Sequence, residues 1–130
     1  MHSFVRFACA MAVFTMTSIV DVSAHDDSKR LVPQHGGTVV EATGHRAIEM
    51  VVSGTSLVFH VSEHGKPHEV MGSSFKVIIQ TGAGTRSIVL TADGSMLKVT
   101  LDAPLTKGTK IAITGKDQHG EVVQARFVTN

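Results

Sequence analysis

From Gly37 onward, apolar and polar residues alternate in short runs: Ile48, Met50 and Val52 take every second place in one run, and Leu57, Phe59 and Val61 in the next. A period of two marks a strand with one buried face, and nothing in residues 25–130 sustains the 3.6-residue period of an amphipathic helix. β-Branched clusters recur about every ten to fourteen residues, separated by Gly, Asp, Ser or Pro. The runs predict strands at Thr38–Glu41, Arg46–Val52, Ser56–Ser62, Phe75–Gln80, Ser87–Thr91, Met96–Leu101, Lys110–Thr114 and Val122–Val128. Turn signals fall at Gly54-Thr55, Gly82–Gly84, Asp93-Gly94, Lys107-Gly108 and His119-Gly120. The predicted fold is all-β: an antiparallel two-sheet sandwich of about seven or eight strands, with a small closed barrel as the alternative.

The two best-patterned runs also fix their own register. Their apolar sets must share one side of the sheet, so Ile48, Met50 and Val52 stand opposite Val61, Phe59 and Leu57. Partner numbers then sum to 109, and Gly54-Thr55 becomes a two-residue hairpin loop. On the other face the same constant sets Glu49 beside His60 and, if pairing extends, His45 beside His64, with Cβ atoms about 5 Å apart. Glu49 and His60 so placed predict a cross-strand ion pair. Val51 and Val58 point outward in this register.

The front of the chain reads as an address. One early cation, Arg6, precedes an apolar run from Phe7 to Val20, and Val22-Ser23-Ala24 offers small residues where a signal peptidase reads. That run is shorter than the roughly 20 residues a membrane-spanning helix needs, so a cleaved signal fits better than a stable membrane anchor. The only cysteine, Cys9, precedes the end of the run, which argues against a lipid anchor. The expected organisation is a signal peptide over residues 1–24, a flexible lead-in over 25–36, and one β-sandwich domain over 37–130. A chain of this size folds without disulfide staples.

Setting aside Arg6 and Asp21, the 12 Lys and Arg and 11 Asp and Glu fall to 11 and 10, and they are scattered. Nucleic acid and anionic membrane are not indicated as partners. With no Trp or Tyr, stacking platforms for sugars or bases are few. Histidine changes the picture. Seven of the chain's 8 lie beyond the signal, where no cysteine remains, so any metal site must use imidazole, carboxylate or thioether donors. His35, His45, Glu49, His60, His64 and His68 cluster on or near the hairpin. His35 is followed by two glycines that let the backbone bend, while His68 and Met71 lie in the long loop Glu63–Ser74. Zinc takes three or four such ligands at about 2 Å, imidazole also suits Cu(II), and thioether favours Cu(I). A new N-terminus at His25 offers its α-amine and ring as a chelating pair for copper. Against these readings, exposed histidines are common on solvent faces of sheets. His119 sits in a turn sequence, and Met50 and Met96 read as packing. Enzymatic activity is not expected, since the sequence has no nucleophile-elbow serine, phosphate-cradling loop or His-Glu-x-x-His helix.

The segments His35-Gly36-Gly37-Thr38-Val39-Val40, Gly44-His45, Ile48-Glu49-Met50-Val51 and Val61-Ser62-Glu63-His64-Gly65-Lys66-Pro67 resemble small periplasmic proteins of Gram-negative bacteria. These in turn are similar to the β-sandwich heavy-metal-binding segment of cation efflux adaptor subunits. The resemblance covers most of the chain beyond the signal. It implies periplasmic handling of copper or zinc, by sequestering the ion or passing it to a cation efflux complex. It also implies His35, His45 and His64 as ligands, with Glu49 and Glu63 as carboxylate partners. His68 departs from that pattern by following Pro67 where an apolar residue is expected, so the site is either richer or different. The adaptor's helical hairpin is missing, so the reading is a binding module with a transition-metal ion as its cofactor. Its rival is a metal-free periplasmic protein-interaction module presenting a sheet edge, the Glu63–Ser74 loop, or the outward Val51–Val58 strip to a partner.

Overall fold

The computed structural model describes residues 31–130; the signal segment, His25 and the start of the lead-in lie outside them. The described residues form strands and no α-helix. In chain order these are β1 (Thr38–Ala42), β2 (Arg46–Ser53), β3 (Ser56–Glu63), β4 (Lys66–Pro67), β5 (Ser74–Thr81), β6 (Gly84–Val89), β7 (Thr91–Asp93), β8 (Met96–Thr100), β9 (Lys110–Lys116) and β10 (Val122–Val128). They make two antiparallel sheets, one of six strands ordered β1-β2-β3-β8-β7 with β4 added along the end of β3, and one of four ordered β10-β9-β5-β6. The fold is thus all-β and sandwich-like. Edge strands β1 and β10 approach each other, but no ladder joins them, so the sheets do not close into one barrel.

The β2–β3 hairpin has the register its apolar spacing requires: Ile48 faces Val61, Met50 faces Phe59 and Val52 faces Leu57. Ser53 and Ser56 close the loop, and Gly54 takes a positive φ of 59° at its first central position, where an L side chain would be strained. Alternation then puts Ile48, Met50, Leu57, Phe59, Val61 and Leu97 on the inner face of the larger sheet. They meet Phe75, Val77, Ile111, Ile113, Val123 and Phe127 of the smaller one. Phe59 and Phe127 pack across the interface with ring centroids 5.7 Å apart, tilted by 50°.

Two expectations need correction. The run Ser87–Thr91, read as one strand, is two: β6 ends at Val89 in the four-stranded sheet, and β7 starts at Thr91 in the six-stranded one. Leu90 is buried at the crossing, its amide donating to the Phe75 carbonyl at 2.9 Å. Apolar alternation continues through the crossing because both strands face the same core, which hides the change of sheet. The loop Glu63–Ser74 also contains β4, paired to β3 through Glu63 with Lys66 and Ser62 with Pro67. Proline lacks a ladder donor, which disguises the pairing in sequence and suits a strand this short.

One charged residue breaks the inner pattern. Arg46 occupies the inward place on β2 two residues before Ile48, only 5% exposed, at the end of the sandwich. Its guanidinium donates to Asp117 at 2.6 Å and to Glu121 at 3.4 Å. Asp117, in the β9–β10 turn, also accepts the amides of His119 and Glu121 at 2.9 Å each. Burial works to raise its pKa, and those amides with Arg46 overcome this and hold it below the ordinary carboxylate range. The pair ties the two sheets together immediately beside His45.

Candidate metal centre

Two neighbouring turns carry the most unusual backbone of the structure. β1 passes to β2 through Thr43-Gly44-His45, and β3 passes to β4 through His64-Gly65. Because Arg46 and Glu63 are register partners, the two turns lie side by side. His45 has φ 59° and His64 has φ 52°, and among the described residues no other non-glycine residue has a positive φ. Gly65 follows at φ 79°, so His64-Gly65 is a two-residue loop with both central residues left-handed, where asparagine followed by glycine is the favoured pair. Left-handed backbone costs an L residue on the order of 1–2 kcal/mol. Histidine tolerates it better than most, but asparagine or glycine would meet the geometric need at less cost.

The two ring centroids lie 6.5 Å apart, with planes 22° from parallel. Two imidazoles bound to one ion at about 2 Å per bond have centroids roughly 5 to 6.5 Å apart as the ligand angle opens from tetrahedral to linear. The observed pair lies at the open end of that range. The cleft between the rings is also lined by Leu31, Glu41 and Ala47. Glu41 is the register partner of Ala47, which puts its carboxylate on the same outer face. Sequence reasoning missed Glu41, although the β1–β2 register that reveals it follows from the same pairing rule applied to Val40 and Ile48.

A second cluster lies further along that face. His35 does fold back, but the partner it finds is Glu49. Glu49 is only 5% exposed, and its Oε1 accepts the amides of His35 at 2.8 Å and Gly37 at 2.9 Å. Its Oε2 accepts the Gln34 amide at 3.0 Å and meets His35 Nδ1 at 2.9 Å. Gly37 makes this possible, because a Cβ there would collide with the Met50 carbonyl. Burial pushes the Glu49 pKa up, but the Gly37 amide, the His35 ring and the remaining amides outweigh it and bring it down to about 2. With Glu49 ionised, the His35 nitrogen facing it, Nδ1, carries a proton.

His60 stands opposite Glu49 as the register requires, yet the expected Glu49–His60 ion pair does not form. His60 stacks instead on His35, with centroids 3.6 Å apart and planes 2° from parallel. Imidazole lone pairs lie in the ring plane, so rings stacked this closely cannot point at one ion. Burial, then repulsion from His35, lowers the His60 pKa and so favours the neutral ring.

His68 and Glu63 form a third group. Glu63 Oε2 lies 3.0 Å from His68 Nδ1, while His68 Nε2 is buried without a partner. His119 is a turn residue, and Met50 packs in the core. Met71 is exposed, and Met96 is half-buried opposite His60. The seven candidates thus divide into a paired turn site, a carboxylate-clamped stack and one His–Glu pair. Among the described residues, no three His, Cys, Asp or Glu side chains converge closely enough to enclose an ion. Comparison with protein-family models, with curated proteins and with solved structures finds no match to this chain.

Proposed function

We propose that this chain is a periplasmic metal-binding protein that takes a copper or zinc ion at the turns carrying His45 and His64 and sequesters it or delivers it to a cation efflux complex. No turnover is involved. The observation that carries the reading is the coincidence of backbone and chemistry: the two left-handed non-glycine positions of the described residues are both histidines, side by side, at a separation two ligands to one ion can adopt. Outliers of this kind persist where the surroundings over-determine them, and they concentrate at functional sites. Glu41, across the same cleft, supplies a third donor after a side-chain rotation. His35 adds a second point of capture. Its Nδ1–H is held by an ionised carboxylate and its Nε2 is left free, which is how protein ligands to metals are commonly oriented. His60 and His64 are four residues apart, so the two clusters lie about 13 Å from each other along β3.

The metal-free reading has less support from the outer face. Val51 and Val58 do pair there, but both are half-buried rather than a bare strip.

Titration calorimetry with zinc and with copper at pH 7.5 tests the proposal. The chain should bind one ion at the turn site, and the double replacement His45→Asn with His64→Asn should weaken that binding by about tenfold or more, since each lost ligand removes over 1 kcal/mol. Because ligating imidazoles must be neutral, affinity should fall as the pH is lowered. Undiminished stoichiometric binding by the double variant removes this site.

A further inference from the structure

The outer face of the four-stranded sheet is charged with one sign only. Alternation along β5, β9 and β10 turns Lys76, Lys110, Lys116 and Arg126 outward, all exposed. None of the four makes an ion pair among the described residues, and no carboxylate occupies an outward position on this sheet. Glu121, at the sheet's end, is turned toward Arg46. The face is not simply hydrophilic either, because Val89, Val122 and Val128 lie on it at 76, 48 and 56% exposure. Register combines the two kinds of residue. Val122 neighbours Lys116 and Val128 neighbours Lys110 across β9–β10, and Val89 neighbours Lys76 across β5–β6. Two shallow grooves follow this arrangement, one between Lys76 and Lys116, the other between Lys110 and Arg126.

We infer that this face docks an acidic polypeptide segment of a partner protein, independently of the histidine turns on the other sheet. Charge complementarity selects the partner: isolated cations over a flat sheet gain most from carboxylates placed at matching intervals. Lys110 and Lys116 are six residues apart on β9, about 20 Å, which an extended segment of about six residues spans. The valines beside the cations provide apolar contact between the charged positions. A lipid surface fits less well, because membrane-seated proteins anchor through Trp, Tyr or long aliphatic side chains, and this face offers only valines. The chain has no Trp or Tyr at all.

The test uses the full chain and a fluorescein-labelled twelve-residue peptide of alternating glutamate and valine, read by fluorescence anisotropy in low salt. The triple replacement Lys76→Gln, Lys116→Gln and Arg126→Gln should weaken binding about tenfold or more, whereas Lys66→Gln, Arg86→Gln and Lys98→Gln, with the same change in net charge elsewhere, should change it by less than about threefold. Replacing the face lysines by arginine should leave binding in place, which separates lost charge from lost folding. Equal loss in both triple variants overturns the inference in favour of net attraction, and absence of peptide binding overturns it outright. Tighter binding to phosphatidylglycerol vesicles than to the peptide overturns it in favour of a membrane surface.

Discussion

Glu49 shows how a single carboxylate organises a segment. Three backbone amides and one imidazole converge on its two oxygens, so residues 34–37 are ordered around a charge that is only 5% exposed. Its folded pKa of about 2 lies below the ordinary value of 4.5, so the unfolded chain binds the proton more readily. The resulting stability is complete above pH 4.5 and is lost as pH falls toward 2, on the order of 2–3 kcal/mol. Glu49→Gln should therefore lower the stability at pH 7 by about 2 kcal/mol and flatten its decline in acid, both measurable by urea unfolding at a series of pH values. It should also free His35 from its tautomer. His60 adds an effect of the same sign. Its lowered pKa means the fold favours the neutral ring, so protonation below about 6.5 works against the native state.

At the scale of elements, the turns separate function from stability. If His64 served only the backbone, asparagine would serve it better, because Asn-Gly is the preferred pair where both central residues are left-handed. His45→Asn and His64→Asn should each raise the melting temperature of the metal-free chain by a few degrees, corresponding to gains of about 1 kcal/mol or less. The β2–β3 pairing was legible in the sequence because two alternating apolar sets, joined by a loop with glycine at the strained position, permit one register only. The same rule placed His45 near His64. Other features left no such pattern in the sequence. β4 was masked by Pro67, the split at Leu90 by a core shared between sheets, and the Glu49–His35 clamp by backbone amides, whose direction no residue pattern announces. Glu41 was within reach but required pairing β1 as carefully as β2 and β3.

Across the whole molecule, the sandwich presents two unlike outer faces. The larger sheet carries imidazoles with Glu41, Glu49 and Asp93, while the smaller carries cations and valines. What couples the sheets at the histidine end is the buried pair of Arg46 and Asp117, 2.6 Å apart. Removing one partner strands the other charge, whereas replacing both with apolar residues relieves the desolvation cost. Arg46→Met alone should lower the melting temperature markedly, and Arg46→Met with Asp117→Leu should recover most of the loss. Since Arg46 immediately follows His45, the single variant should also weaken metal binding and the double variant restore it in part, as thermal unfolding with and without zinc would show.

The central claim, that two histidine-bearing turns share one ion, is tested most directly by following the imidazole ring nitrogens by NMR while zinc is added to the isotopically labelled chain. The account predicts that the His45 and His64 ring signals shift together and saturate at one equivalent, before those of His60, His68 or His119 respond. Signals of His45 and His64 that stay in place while another histidine saturates first would contradict it.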